Sequence, residues 1–195
     1  MTATQIDGRA ARAQRTREAV TTALLDLISE GGPKPSATRI AERARVSIRS
    51  IYVHFSSLED LYRAAAEQTT TKILALLAPI DPAQPLDTRI DLLCGQRARI
   101  NEQLGPILRA ADFREGASSE LAKVRNFGRQ ASRDQLRRVF ASELAALDPE
   151  AGRRRVGIID TLISEPAWRA LRSATHALDP DEARVAIAEA VRALL

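Results

Sequence analysis

The chain has little of what most catalytic and secreted proteins are built on. Of its 195 residues only Cys94 is a cysteine, so an intrachain disulfide and a cysteine-rich zinc site are both excluded. There are two histidines, His54 and His176, and no HExxH, Gly-rich phosphate loop or GxSxG. No metal or cofactor site is therefore expected, and the chain is not expected to be an enzyme. No apolar run approaches the roughly 18 residues of a membrane span. The N-terminal MTATQIDGRAARAQRTR has no hydrophobic core of a secretory signal, so a cytoplasmic location without membrane attachment is expected. Aromatics make up only 4% of the chain, whereas Ala, Leu, Arg and Glu are abundant, a balance that favours helix over sheet.

What is present is unevenly placed. The formal charge is +4, and residues 1–56 carry nine Lys/Arg against five Asp/Glu while residues 57–195 carry twenty of each. The whole positive excess thus sits in the first third, as a nucleic-acid-binding head on a neutral body would have it. At 45% hydrophobic the chain has ample material for a core.

Periodicity and punctuation predict an all-α protein of about nine helices. A loose basic arm over residues 1–10 precedes a helix from Arg12 to Glu30, with Val20, Ala23, Leu24, Leu27 and Ile28 on one face. Gly31-Gly32-Pro33 ends it. Ser36 caps a helix to Ala44, and Ser47 caps the next. On that third helix Ile48, Ile51, Tyr52 and Phe55 share a stripe, with Arg49, Ser50, Val53 and His54 opposite. Ser56 and Glu59 fit a capping box for a fourth helix running to about Ala78. Pro79, Pro82 and Pro85 follow. Further helices are expected over 88–104, closed by Gly105-Pro106, over 107–113, over 118–147, from Pro149 to Ile163, around Trp168, and from Pro180 to the end. The division that results is a helix-turn-helix head over 1–56 and a C-terminal helical-bundle domain over 57–195.

Residues 36–55 supply what a helix-turn-helix needs: two short helices, small Ala41 and Ala44 where they cross, and a polar outer face on the second. Such a helix fits the DNA major groove. Arg49 suits a two-point contact to guanine, Ser50 serves either base type, and Val53 can meet a thymine methyl. Ser36, Ser47, Tyr52 and His54 can donate to phosphates. Arg45 in the turn, with Arg9, Arg12, Arg15 and Arg17 of the arm, adds salt-sensitive attraction to the backbone.

The pattern Ile40-Ala41-x-x-Ala44-x-Val46-Ser47, then Ile51-Tyr52-x-His54-Phe55 and Leu58-Glu59-x-Leu61, resembles the TetR family of bacterial transcriptional regulators over about residues 12–66. The resemblance implies an all-helical homodimer that binds a near-palindromic double-stranded DNA operator, most often as a repressor. It also implies a C-terminal domain that dimerises and takes a small-molecule effector. The family's DNA contacts would fall on Ser36, Ser47, Arg49, Ser50, Tyr52 and His54. The family commonly has Gly where this chain has Arg45, and Lys where it has Leu58.

For the body, two further groups of residues follow from helix faces. Leu93, Arg97, Ile100, Asn101, Leu104, Phe113, Val124 and Phe127 are candidate effector-lining residues. Val156, Ile159, Ile163, Ala183, Ile187, Ala190 and Leu194 are candidates for a four-helix dimer interface. The alternative is a dimeric, helical small-molecule-binding protein or enzyme without DNA-binding activity. The charge division and the 36–55 pattern speak against it.

Overall fold

In the computed structural model, the backbone is described for residues 3–31, 34–113 and 119–195, and the side chains for these except 3–7, 9, 110–113, 119–121 and 125. The described residues form α-helices and no strand. In order these are α1 (Ala3–Ser29), α2 (Ala37–Ala44), α3 (Ile48–His54), α4 (Leu58–Leu76), α5 (Leu86–Phe113), α6 (Ser119–Val139), α7 (Ala141–Ala145), α8 (Pro149–Leu162), α9 (Glu165–Leu171) and α10 (Pro180–Leu194). The expected arm over 1–10 is instead the start of α1, which is helical from Ala3. No proline interrupts this stretch, and its Ala and Arg residues are strong helix formers. Gly31, at φ 78°, ends α1 in the left-handed conformation.

The chain divides into two compact units. The first comprises 1–70 and 106–125, the second 71–105 and 126–195. The head is thus larger than the expected 1–56. The reason lies in α4, whose Leu61, Tyr62, Ala65 and Ala66 are all buried. In this unit Val20, Leu24, Leu27 and Ile28 of α1 pack with Ile40 and Ala41 of α2 and with Ile51 and Phe55, all under 5% exposed. Full burial of each large aliphatic residue contributes about 1.5–3 kcal/mol.

The α4 cap is shifted by one residue from the expected Ser56–Glu59 box. Ser57 Oγ accepts the Asp60 N–H at 3.1 Å, and the Asp60 carboxylate accepts the Ser56 N–H at 3.0 Å. Arg63 pairs with the same carboxylate. The backbone hydrogen bond accepted by Asp60, ahead of the Arg63 bond, holds its pKa below the usual carboxylate range.

The second unit is built around one apolar cluster. Ile90, Leu93 and Cys94 of α5, Leu136 and Val139 of α6, Phe140, Val156 and Ile159 of α8, Trp168 of α9, and Ile187 and Val191 of α10 form its centre. Trp168 Nε1 donates to Glu102 Oε1 at 2.7 Å, so the indole is buried without an orphaned N–H. The Asp179–Glu182 capping box starts α10 behind Pro180.

Two elements differ from their sequence expectation. Gly105-Pro106 does not divide α5, which runs unbroken from Leu86 to Phe113. Buried Ile100, Leu104 and Ile107 carry one stripe across the proline, and that packing outweighs its lost N–H. A Cβ at Gly105 would lie 3.3 Å from Glu165 Cγ, a tight contact that the glutamate side chain would have to relieve. The expected single helix over 118–147 is broken at Phe140 into α6 and α7. The Val139 carbonyl, which a continuous helix would use, accepts instead from Arg89 Nη1 at 2.5 Å.

Candidate DNA-binding face

The geometry of α2 and α3 comes from two serine caps and one strained arginine. Ser36 Oγ accepts the Arg39 N–H at 3.3 Å, and Ser47 Oγ accepts the Ser50 N–H at 3.0 Å. Each hydroxyl keeps its own proton free to donate outward, and both serines are exposed. Between the helices Arg45 sits at φ 55°, ψ 42°, in the left-handed region, with its N–H directed at the Ala41 and Glu42 carbonyls. This is the position at which the resembling family commonly has Gly, and it costs a non-glycine residue about 1–2 kcal/mol. Arg45→Gly is therefore expected to raise the melting temperature by about 2–8 °C while weakening DNA binding through the lost charge. Thermal unfolding and a gel shift on the same samples read the two opposed effects.

α3 is held from beneath. Ile51 and Phe55 are fully buried, and Arg17 lies 4.3 Å from the centre of the Phe55 ring. Arg17 Nη1 also donates to the His54 carbonyl at 2.5 Å, so a cation closes the C-terminal end of α3. Arg17 thus fastens α1 to α3 and is occupied there, whereas Arg12 and Arg15 are exposed; the Arg9 side chain lies outside the described residues.

The outer face of α3 differs from the sequence expectation at two residues. Ile48 and Tyr52 were expected on the inner stripe, yet they are 43% and 49% exposed. Seven residues make fewer than two turns, so only the pair one turn apart, Ile51 and Phe55, reaches the core. Arg49 is exposed, Ser50 and His54 are half-buried, and Val53 is 71% exposed. The solvent face of α3 therefore joins Arg49 and Ser50 to three apolar or aromatic residues, Ile48, Tyr52 and Val53. The strip is not used in the packing of the head and is open to solvent. Arg43 of α2 is tied to Glu30 at 2.6 Å, so it supports the head rather than the face.

Comparison with known proteins agrees with this geometry. Residues 20–65 match the model described as bacterial regulatory proteins, tetR family. The match covers the head, α2 and α3 with the parts of α1 and α4 that pack on them. No curated protein matches it in sequence. Among solved structures it is similar to a tetR-family transcriptional regulator from Streptomyces coelicolor, at 20% identity and TM-score 0.70 over 93% of this chain and 80% of that one. It is also similar to NalD of Pseudomonas aeruginosa, the secondary repressor of the MexAB-OprM multidrug efflux pump, at 22% identity and TM-score 0.65 over 93% and 98% of the two chains. A third likeness is to EbrR, a multidrug binding protein complexed with malachite green, at 22% identity and TM-score 0.55 over 92% and 97%. These likenesses show the fold. The matched segment, residues 20–65, is where bacterial regulatory proteins of the tetR family are matched, and it contains the helix-turn-helix of α2 and α3.

The residues expected to line an effector site are brought together only in part. Leu93, Arg97, Ile100, Asn101 and Leu104 are all buried along α5 in the second unit. Asn101 Nδ2 donates to the Ile163 carbonyl at 3.2 Å. Val124, although buried, belongs to the first unit, Phe127 is 38% exposed, and the Phe113 side chain lies outside the described residues. An amide relay runs beside this stretch: Gln135 Nε2 donates to Gln96 Oε1 at 2.8 Å, and Gln96 Nε2 to the Ala78 carbonyl at 2.8 Å.

The residues expected at a dimer interface pack largely within the single chain. Val156, Ile159, Ile163, Ala183 and Ile187 are buried within the single chain, Ala190 is half-buried, and Leu194 packs on the same cluster. Helical periodicity marks an apolar stripe, and here that stripe is the chain's own core. The aliphatic residues that α8 and α10 leave outside are Ile158, at 47%, and Val185, at 43%. Gly157 beside Ile158 has open space where a Cβ would be.

Proposed function

We propose that the protein is a cytoplasmic repressor that binds a near-palindromic operator as a homodimer and leaves it when a small molecule occupies the helical body. The observation that carries this reading is the solvent face of α3. A short helix capped at both ends presents Arg49, Ser50, Tyr52 and Val53 outward, on the part of the chain that holds the whole excess of positive charge. In this arrangement Arg49 reads guanine and Val53 a thymine methyl. Ser36, Arg45, Ser47, Tyr52 and His54 fix the helix on the phosphates. NalD, described as a repressor, and EbrR, described as a multidrug binding protein, supply the analogy for sign and for ligand.

One head reads one half-site, so two heads must stand about 34 Å apart, or a multiple of that, along the DNA. Ile158 with Gly157 on α8, and Val185 on α10, are the surface on which a second copy would pair. Ile158→Glu places two like charges in that isologous contact. The variant is expected to sediment as a monomer and to lose at least about tenfold in affinity for the chain's own upstream DNA while keeping its helical content. Sedimentation with a gel shift checks this. A variant that stays dimeric overturns the assignment of the surface, and a wild type that shows no preference for upstream over random DNA overturns the repressor reading.

A further inference from the structure

Two arginines about two turns apart on α5 are almost wholly buried, Arg89 at 5% exposure and Arg97 at 6%. Arg89 is satisfied along its length. Its Nε donates to the Gln84 carbonyl at 2.8 Å, Nη1 to the Val139 carbonyl, and Nη1 and Nη2 to the Glu143 carboxylate at 2.9 and 2.6 Å. Arg97 is not. Among the described residues its one hydrogen bond runs from Nη2 to Gln135 Oε1 at 2.7 Å, and its buried Nε has no acceptor. Asp160, the carboxylate whose field reaches it, is already held by Ser132 Oγ at 3.0 Å and Arg133 Nε at 2.9 Å. A guanidinium has five N–H donors, and a buried one without a counter-charge is among the most costly groups a fold can carry. Burial accordingly pushes the Arg97 pKa down to about 10.

The contrast between the two arginines indicates what Arg97 is for. The same helix shows how this chain neutralises a buried arginine when the role is structural. At Arg97 it leaves Nε without an acceptor and holds Nη2 only by the neutral Gln135, with buried Leu93, Cys94, Ile100 and Leu104 beside it on α5. A carboxylate matches a guanidinium fork with two parallel hydrogen bonds, and the neighbours suit an apolar body attached to it. We propose that Arg97 anchors the carboxylate of an organic-anion effector whose remainder is apolar, the ligand supplying the directly hydrogen-bonded carboxylate that Asp160, held by Ser132 and Arg133, does not. This rests on the reading of the body as an effector-binding domain. A carboxylate competing for Nη2 also releases Gln135, whose other bonds run to Gln96 and to the carbonyl of Ala78, two residues beyond the end of α4. Ligand occupancy is thereby joined to the segment that follows the helix leading out of the head.

The test compares sodium benzoate, octanoate and decanoate with their primary amides on the full-length protein, as wild type, Arg97→Met and Arg97→Lys, by thermal shift. At least one carboxylate is expected to raise the wild-type melting temperature by about 2 °C or more beyond its amide. Arg97→Lys should keep part of that discrimination and Arg97→Met none. Without ligand, Arg97→Met should melt no lower than wild type, because methionine removes an unpaired buried charge at similar volume. The inference is overturned if no carboxylate in the set exceeds its amide, if Arg97→Met still discriminates, or if ligand-free Arg97→Met melts several degrees below wild type, which is the mark of a structural arginine. A gel shift on upstream DNA with the same samples separates the two readings. Intact DNA preference without carboxylate discrimination removes this inference alone, and discrimination without DNA preference removes the repressor reading alone.

Discussion

Between about 50 and 200 mM salt, operator affinity is expected to fall by about 10³-fold, the steepest response the protein should show. Three cations on each head, Arg12 and Arg15 of α1 and Arg45 between α2 and α3, are exposed and suited to neutralise phosphates. Doubled by a second head they give about six, and each one that neutralises a phosphate displaces condensed counterions. Substitutions should then separate positioning from reading. Arg45→Ala removes a backbone charge, so it should weaken all DNA sequences alike and lower the salt slope by about one per head. Arg49→Ala should leave the general affinity nearly intact and lose about 1–3 kcal/mol of discrimination at one base pair per half-site. Titrations at four salt concentrations against operator and scrambled DNA give both slopes. Should Arg49→Ala change the two DNAs equally, Arg49 touches backbone and the reading face lies with Ser50 and Val53.

The sequence shows this face clearly because its determinants are local. Ser36 and Ser47 each cap a helix within three residues, and a capping side chain reaches no farther. The left-handed Arg45 follows from the same short geometry. Where a local rule has two equivalent solutions it misleads by one step: Ser56 and Ser57 are adjacent, each has an acidic residue three positions on, and only packing chooses Ser57. Distance in sequence is the larger obstacle. The break at Phe140 depends on Arg89, fifty residues away, whose guanidinium takes the Val139 carbonyl. No pattern within 118–147 reports that. Periodicity on α8 and α10 finds apolar stripes but cannot tell a chain's own core from a partner's. The stripes of Ile159 and Ile187 proved internal, while the exposed Ile158 and Val185 lie off them. Arg97 was legible as a residue on the inner side of α5. That it is buried without a directly hydrogen-bonded carboxylate depends on where Gln135 and Asp160 come to lie.

Glu143→Ala is expected to lower the melting temperature of the second unit by roughly 6–20 °C at neutral pH. Its carboxylate meets Arg89 with both oxygens, and the side chains are 6% and 17% exposed for arginine and glutamate. Removing the glutamate alone leaves a buried guanidinium with only backbone carbonyls, an imbalance of about 3–5 kcal/mol. Replacing both partners, as Arg89→Met with Glu143→Leu, should recover most of the loss, since it removes the charges together and keeps an apolar fill. The same pair predicts an acid response. The hydrogen bond from Arg89 is the first cause that holds the Glu143 pKa down, at about 2 against a usual 4.5. A carboxylate depressed in this way stabilises the fold fully above its unfolded value. The stabilisation fades as pH falls from about 4.5 towards 2, because protonation then costs the folded state its ion pair. The difference in stability between wild type and Glu143→Ala should therefore shrink from about 3 kcal/mol at pH 6 towards the cost of the missing packing alone near pH 2. Denaturant titrations at pH 6, 4 and 2.5 measure it. A difference that stays constant across that range would show that Glu143 acts through packing, and that the break between α6 and α7 is held by the Val139 carbonyl and not by the charge pair.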